Sequence, residues 1–480
     1  MKTNYNNMYF EESDASNLFD TDFKLLKIKA SFMGREFVEI DFNMPTNNER
    51  CYHSLLIGPN GVGKSSLLRD IIDIFIEAQS WSRYLRPRKN AVQIKYLEYQ
   101  INENVYALER SKNGCLLFKN NKSVEYDDME FPMIIASSMG LFDKFPTNNS
   151  NSISSSSRYN HKNYCYVGPK ASSNMFMSKM NILLRPLSKI NSSISIKDAN
   201  YIESAFRHIG YEPILLFEYD FSQSLSKADK KLVSNTLNVD SLELEKIDTG
   251  NKCIYQTQMN LSAYNIENFD SYNIFQLYTY RQNRMFSKLK CKIKTSDGTF
   301  IDFDDISSGE FNLLIMMLNI ILLDSPNHLL VLLDEPEISQ HPNWQIDIVG
   351  MLDEALNQYH SHIITATHSH FLVSNLPLGR SEVIDIDKDK NGNVTIEKIL
   401  QSTYGWSSEE VLLKVFKMAT DRSKYLAELV GEFLQALGSD TITIDEVKNK
   451  LSFLQQVSTN LSEVDPMKKV INSIVKEFNS

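Results

Sequence analysis

Lys64, Ser65, Asp334, Glu335 and His368 are the residues whose types and settings most suggest chemistry. Lys64 and Ser65 close the run GPNGVGKS, a Gly-x-x-x-x-Gly-Lys-Ser pattern that starts at Gly58. Its glycines let the backbone curl so that successive N–H groups face phosphate oxygens, and a following helix adds the positive end of its dipole. A lysine at this place reaches the outer phosphates of a nucleotide, and the serine hydroxyl ligates Mg²⁺. The plainer reading is a glycine-rich turn with a chance lysine. It fits poorly with the apolar strand predicted before the run and the helix predicted after it.

A phosphate loop cleaves nothing by itself. The run NHLLVLLDEPEISQHPNWQ (327–345) supplies what is missing. Its unbroken apolar stretch suits a central parallel strand, and that strand ends in Asp334-Glu335. Asp334 is placed to hold Mg²⁺ directly or through water. Glu335 is placed to polarise an attacking water as general base. Two acids after a strand are common in solvated turns, but the companion phosphate loop favours catalysis. A third apolar strand, in HIITATHSHFL (362–372), ends in Thr367-His368-Ser369. A lone histidine usually satisfies itself against backbone. Here His368, rather than His362 or His370, is placed to face the terminal phosphate.

The stretch DDISSGEFNLL (304–314) opens a helix, with Ser307 and Glu310 at capping-box spacing. Ser308 and Gly309 would then add a hydroxyl and free amides at a helix N-terminus, a place that favours anions.

These residues need elements to hold them. Short apolar runs over 23–57 predict strands ending at the glycine-rich turn, and KSSLLRDIIDIFIEAQSW carries apolar residues at helical spacing. Residues 92–136 read as further short strands, and TNNSNSISSSSRYN (147–160) as a Ser/Asn-rich loop. Residues 308–400 alternate helix and strand, an α/β pattern. Helices are predicted at 197–211, 227–237 and 273–289, and no sustained heptads point to a long coiled coil. The resulting division is 1–175 as a first lobe with the phosphate loop, 176–290 as a mostly helical insert, 291–400 as a second lobe, and 401–480 as a helical region for partner or self-association. The fold class is α/β, a mixed sheet flanked by helices.

At 480 residues the chain can bury a large core, and its 42% hydrophobic and 23% charged content is that of an ordinary soluble protein. A formal charge of −10 argues against coating nucleic acid with the whole surface. Two basic runs leave local nucleic-acid contact open: RYLRPRK (83–89), and the lysines Lys288, Lys290, Lys292 and Lys294. The five scattered cysteines read as buried thiols in a reducing cytosol. The polar, acidic N-terminus and an apolar segment broken at Asp324–Asn327 predict no membrane span and a cytoplasmic protein.

Taken in order, GPNGVGKS, ISSGE, LLVLLDEPE and ATHSH resemble the ATP-binding-cassette (ABC) class of ATPase heads, which includes DNA-repair and chromosome-organising (SMC-like) ATPases. The resemblance covers residues 23–175 and 290–400. It implies ATP and Mg²⁺ as ligands, with Asn60, Gly61, Val62, Gly63, Lys64, Ser65 and Ser66 around the phosphates. It also implies a homodimer or higher oligomer in which two heads sandwich ATP, so that Ser308, Gly309 and Glu310 of one head face the nucleotide of the other. Glu337, His341, Pro342 and Trp344 then fall in a loop that couples the two heads. One departure stands out. The class carries a glutamine after an early strand, whereas IIASSMGLFDKFP offers Ser137 and Ser138 and no glutamine. Slow hydrolysis, or coupling of this segment to a partner, is the expectation.

A narrower resemblance is to the ATPase subunits of bacterial anti-phage systems. LFDKFP, YCYVGPK, DEPEISQHPNWQ and TYGWSSEEVLLKVF look like the PtuA type found in Septu and in some retrons. That type implies an HNH nuclease partner controlled by nucleotide state and, in retrons, a reverse transcriptase with its RNA and DNA. The alternatives are a DNA-repair or SMC-like ATPase acting on DNA ends and a non-hydrolysing ATP sensor. A transporter motor fits the loop motifs poorly, and a Toprim nuclease fusion lacks its acidic pattern.

Overall fold

The structure, a computed structural model, describes residues 23–42, 51–79, 92–112, 114–138, 140, 143–147, 162–172, 175–190, 195–221, 247–248, 253–262, 286–323, 328–357, 359–399, 401–417, 444–460 and 466–479. The Ser/Asn-rich loop at 147–160 therefore lies almost wholly outside the described residues, and the basic run at 83–89 and the expected helix at 227–237 lie outside them entirely. Two compact units are present, Met1–Trp406 and Ser407–Ser480. The expected segments 1–175, 176–290 and 291–400 all belong to the first.

Among the described residues, three larger sheets and a two-stranded ribbon organise the first unit. The central one has seven strands in the order β20-β19-β3-β18-β17-β8-β9. These are β3 Cys51–Ile57, β8 Met133–Ser138, β9 Tyr164–Val167, β17 His328–Asp334, β18 His360–Ala366, β19 Ser381–Lys388 and β20 Val394–Ile399. Every pairing is parallel except that of β19 with the edge strand β20. All seven residues of β3 and all seven of β17 are buried, as in central parallel strands covered on both faces, and the apolar run Leu329–Leu333 fits that place. The second sheet is antiparallel, in the order β2-β1-β4-β5-β6-β7. Its strands are β1 Phe23–Phe32, β2 Phe37–Asp41, β4 Val92–Ile101, β5 Asn104–Ser111, β6 Gly114–Lys119 and β7 Lys122–Ser123.

Helix α1, Lys64–Gln79, lies between these two sheets. Leu67, Leu68, Ile71, Ile72 and Phe75 all enter one core with Phe23 and Tyr99 of the antiparallel sheet and Leu330, Leu332 and Ile364 of the central sheet. Packed between two sheets, the helix is buried on most of its surface, polar residues included. Its two buried acids are satisfied. Asp70 accepts from Arg110 Nη1 at 2.5 Å and from Ile94 N–H at 2.6 Å, and Asp73 faces Arg69 at 3.6 Å.

Among its described residues, the segment 176–290, expected to be mostly helical, holds strands as well as helices. Helices α2 (Lys179–Leu187) and α3 (Ile196–His208) form, the latter starting one residue before the predicted 197–211 window and ending three short of it, capped by Ser195 and Asp198. They are followed by an antiparallel sheet ordered β13-β14-β12-β15-β16, built from β12 Tyr211–Phe221, β13 Ile247–Asp248, β14 Cys253–Asn260, β15 Phe286–Thr295 and β16 Phe300–Asp302. A short ribbon pairs β10 Lys170–Ser172 with β11 Met175–Phe176. The reason for strand over helix is periodicity. Tyr211, Leu215, Phe217 and Tyr219 are buried and alternate with half-buried Glu212, Leu216, Glu218 and Asp220, a period of two. The expected helix at 273–289 ends inside β15, and the rest of it lies outside the described residues.

Against this lobe packs α4, Ser308–Ile321, which contacts α2 and α3. Helices α5 (Pro342–Leu356) and the one-turn α6 (His370–Ser374) follow β17 and β18 respectively. The TYGW segment closes the unit on α6: Thr403 Oγ1 donates to Val373 O at 2.6 Å and Gly405 N–H to Ser374 O at 3.1 Å. The second unit is helical where described, with α7 Ser408–Lys414 capped by Ser407, α8 Ile444–Asn460 and α9 Pro466–Asn479. Among the described residues no helix is long and apolar enough to cross a membrane. Cys51, Cys165 and Cys291 are buried free thiols, and Cys115 is half-buried.

Candidate active site

Three adjacent parallel strands, β3, β18 and β17, end on the same edge of the central sheet, so the segments that leave them meet there. Register places Leu56 beside Ala366, and Ala366 beside Asp334. The ladder continues one step further, with Glu335 N–H on Ala366 O at 2.8 Å and Thr367 N–H on Leu56 O at 3.1 Å. In parallel α/β sheets, ligands bind outside this carboxyl edge.

From β3 the chain enters the phosphate loop. Gly58 has φ of +132°, and a Cβ there would fall 2.0 Å from the Ile386 carbonyl oxygen, so only glycine fits. Asn60 and Gly61 are exposed, Val62 is buried against the core, and Gly63 turns the chain into α1 at φ +118°. Lys64 is buried. Its ammonium donates to Gly58 O at 2.7 Å, Pro59 O at 3.3 Å and His368 Nε2 at 2.9 Å. Burial pulls its pKa below the usual lysine value, opposed by the charges of Glu335, Asp334 and Glu337. The Ser65 hydroxyl lies near the Asp334 carboxylate and favours its ionised form.

Asp334 ends β17. Burial pushes its pKa up to about 6, and the nearby Ser65 hydroxyl opposes that rise. Its Oδ1 is buried with no hydrogen-bond partner. An orphaned carboxylate oxygen beside a serine hydroxyl fits a hard divalent cation, whose ligands are oxygens. Glu335 follows with φ of +50°, the left-handed region that non-glycine residues seldom occupy. That turn brings its Oε1 to 4.0 Å from His368 Nε2.

Glu337 is a positioning group whose partners the sequence did not reveal. Its Oε1 accepts from both Thr367 Oγ1 and His368 N–H, each at 2.7 Å. The acidic loop after β17 thus grips the histidine loop after β18. Burial raises the Glu337 pKa, and the two hydrogen bonds oppose the rise. A second tie crosses the same gap, where Ser369 Oγ donates to Gln345 Oε1 at 2.7 Å. The HP pair starts α5: His341 Nδ1 accepts from Asn343 N–H at 3.3 Å, with Pro342 in the first turn, where a missing N–H costs nothing.

The structure therefore gathers Lys64, Ser65, Asp334, Glu335 and His368. Ser308, Gly309 and Glu310 sit at the start of α4, beside the loop after Glu335. The cap forms as predicted, with Glu310 N–H on Ser307 Oγ at 3.2 Å and Ser307 N–H on Glu310 Oε2 at 2.7 Å. Ser308 is exposed. Gly309 lies so close to that loop that a Cβ would fall 2.4 Å from Ser339 O. Ser138 stands beside Asp334 at the end of β8 and is buried with Ser137. Lys144, in the LFDKFP run, donates to Ser66 Oγ at 3.0 Å, a contact the sequence gave no means of assigning. Of the basic runs, the β15 lysines share one strand face, and two are paired: Lys290 with Asp302 at 3.3 Å and Lys292 with Glu218 at 2.7 Å.

A mixed sheet with a phosphate loop, an acidic strand end and a histidine loop on one edge is the α/β fold of an ABC-type P-loop ATPase head. The chain belongs to the family described as AAA ATPase domain, which matches residues 35–373, more than half of its length. It is similar to the Septu protein PtuA of Bacillus thuringiensis, 27% identical over 153 residues. That match spans 31% of this chain and 36% of the relative, about a third of each. Solved SMC heads align loosely. The head bound to the C-winged helix domain of ScpA gives a TM-score of 0.37 at 12% identity, over 78% of this chain and 98% of that one. The SMC head domain from Thermotoga maritima also gives 0.37, at 11% identity, over 79% of this chain and 100% of that one.

Proposed function

We propose that this chain binds ATP with Mg²⁺ and hydrolyses it slowly as the ATPase subunit of an anti-phage defence complex. The observation that carries the reading is the convergence of the buried Lys64, the Ser65–Asp334 pair with its orphaned Oδ1, Glu335 and His368 at one sheet edge. Lys64 and the amides of residues 60–66 bind the phosphates. Ser65 and Asp334 hold the metal ion, which when bound screens phosphate charge and orients the terminal phosphate. Glu335 takes the proton of the attacking water, and His368 is held by Glu337 to face the terminal phosphate. The exposed Ser308, with the amides of Gly309 and Glu310, completes the site of a second head, so the working form is a homodimer or higher oligomer with ATP between heads. Glu310 contributes through the cap, since its carboxylate is engaged by Ser307.

The likeness to PtuA supports control of a partner nuclease of HNH type by nucleotide state, and a reverse transcriptase with its nucleic acids is a further partner in retron settings. Nucleic-acid contact through the β15 face is the weaker component, given its two ion pairs. Single-turnover ATP cleavage compared with Glu335→Gln tests the enzymatic core. Wild type should clear bound ATP while the variant retains it. Equal retention would instead favour the ATP-sensor reading, for which the absence of a glutamine after β8 is the supporting feature.

A further inference from the structure

The loop after β8 lacks the expected glutamine, yet it delivers a different group to the phosphate loop. Lys144 Nζ donates to Ser66 Oγ at 3.0 Å, at the first turn of α1. Its charge also bears on Asp334, which it favours in the ionised form. The segment carrying it is pinned from several directions. Arg69 Nη1 donates to Lys144 O at 2.8 Å. The buried Asp143 carboxylate accepts Phe145 N–H at 2.7 Å and Tyr166 O–H at 2.6 Å, and Lys170 Nζ donates to the Asp143 carbonyl. Tyr164 O–H donates to Pro146 O at 2.5 Å. With the backbone held, the side chain is aimed, as in functional loops carried on rigid scaffolds. Its hydrogen-bond acceptor here is a neutral hydroxyl, so its positive charge remains available to an anion.

We propose that Lys144 is a second phosphate-binding lysine, which enters the nucleotide site from the side of α1 and contacts a phosphate oxygen of ATP. The inference rests on the nucleotide site proposed above. An ammonium has three donors and no acceptor. It therefore cannot ligate Mg²⁺ as a glutamine carbonyl would, and its contribution goes to the phosphate chain alone. That difference makes the role testable without hydrolysis. Binding of ATP to the full chain is measured by calorimetry in EDTA, so that no metal contributes. Lys144→Ala and Lys144→Gln should each weaken ATP about tenfold or more, the loss of one charge-assisted hydrogen bond. Lys144→Arg should stay within about threefold, because guanidinium keeps charge and donors. The losses should shrink as salt rises, and melting temperatures without nucleotide should match wild type, since Lys144 is exposed. Lys64→Ala runs in parallel. If it loses ATP while Lys144→Ala binds like wild type, the inference alone fails. If Lys64→Ala also binds like wild type, the nucleotide site itself is misassigned. An equal loss in Lys144→Arg would overturn a charge role.

Discussion

The ammonium of Lys64 donates to His368, with Nζ 2.9 Å from Nε2. Because an ammonium only donates, Nε2 must accept, which leaves the ring neutral with its proton on Nδ1. Burial and then the Lys64 charge both hold the His368 pKa below its ordinary value, against the pull of Glu335. The lysine and the histidine thus form one unit, which a phosphate bound at the proposed site would meet as a whole.

Replacing His368 should separate binding from chemistry. His368→Ala is expected to slow single-turnover hydrolysis about 100-fold, the scale for losing one pre-aimed polar group, while ATP affinity changes less than about threefold. Rapid-quench rates and calorimetric affinities check this. A weaker affinity with an unchanged rate would make His368 a binding group only.

Site sharing can be tested by mixing defective chains. Lys64→Ala removes one chain's phosphate grip, and Ser308→Arg blocks the exposed helix start of the other. In random symmetric dimers, about a quarter of shared sites would be whole, so the mixture should recover that share of wild-type turnover. A mixture no more active than either variant alone rules out sharing.

Two glycine substitutions should act with opposite sign. Gly309→Ala drives a methyl against the Ser339 carbonyl, 2.4 Å away, and should cost about 1–3 kcal/mol as overpacking. Gly350→Ala, inside α5, meets nothing within 4 Å and should stabilise by about 0.5–1 kcal/mol through helix propensity. Denaturant midpoints of the two variants give the comparison directly.

Acid should weaken the fold through His362. This buried residue accepts Leu25 N–H on Nδ1 at 3.2 Å and bonds to Ser54 Oγ through Nε2 at 2.9 Å, and Ser54 in turn donates to Glu382 at 2.8 Å. Burial, with His53 and Lys24 adding repulsion, lowers its pKa to about 3. The unfolded chain binds this proton below about 6.5 and the folded chain resists it. The stabilisation is therefore present above that pH and is lost on acidification, by about 1.4 kcal/mol per pH unit between 6.5 and 3. The pH dependence of unfolding free energy for wild type should exceed that of His362→Gln by one proton. Parallel curves would place the acid sensitivity elsewhere.

Local signals carried the most legible parts of this protein. GPNGVGKS sits between strand and helix, LLVLLDEPE is apolar enough to be a central parallel strand, and Ser307 with Glu310 forms the predicted cap. What the sequence withheld depends on pairings between distant segments. The period-two pattern of β12 was present but broken by Pro213 and flanked by unassigned stretches, so the insert read as helix. The grip of Glu337 on the His368 loop and the reach of Lys144 to Ser66 exist only because β3, β18, β17 and β8 are neighbours. No spacing along the chain encodes that adjacency.

The left-handed backbone at Glu335 has a consequence for how this protein tolerates change. Glycine would hold that conformation at about 1 kcal/mol less cost than an L-residue with a side chain. The chain thus carries its acid at a position where the fold alone would prefer none. Screening for thermal stability alone would draw variants toward Glu335→Gly and away from the general base proposed above.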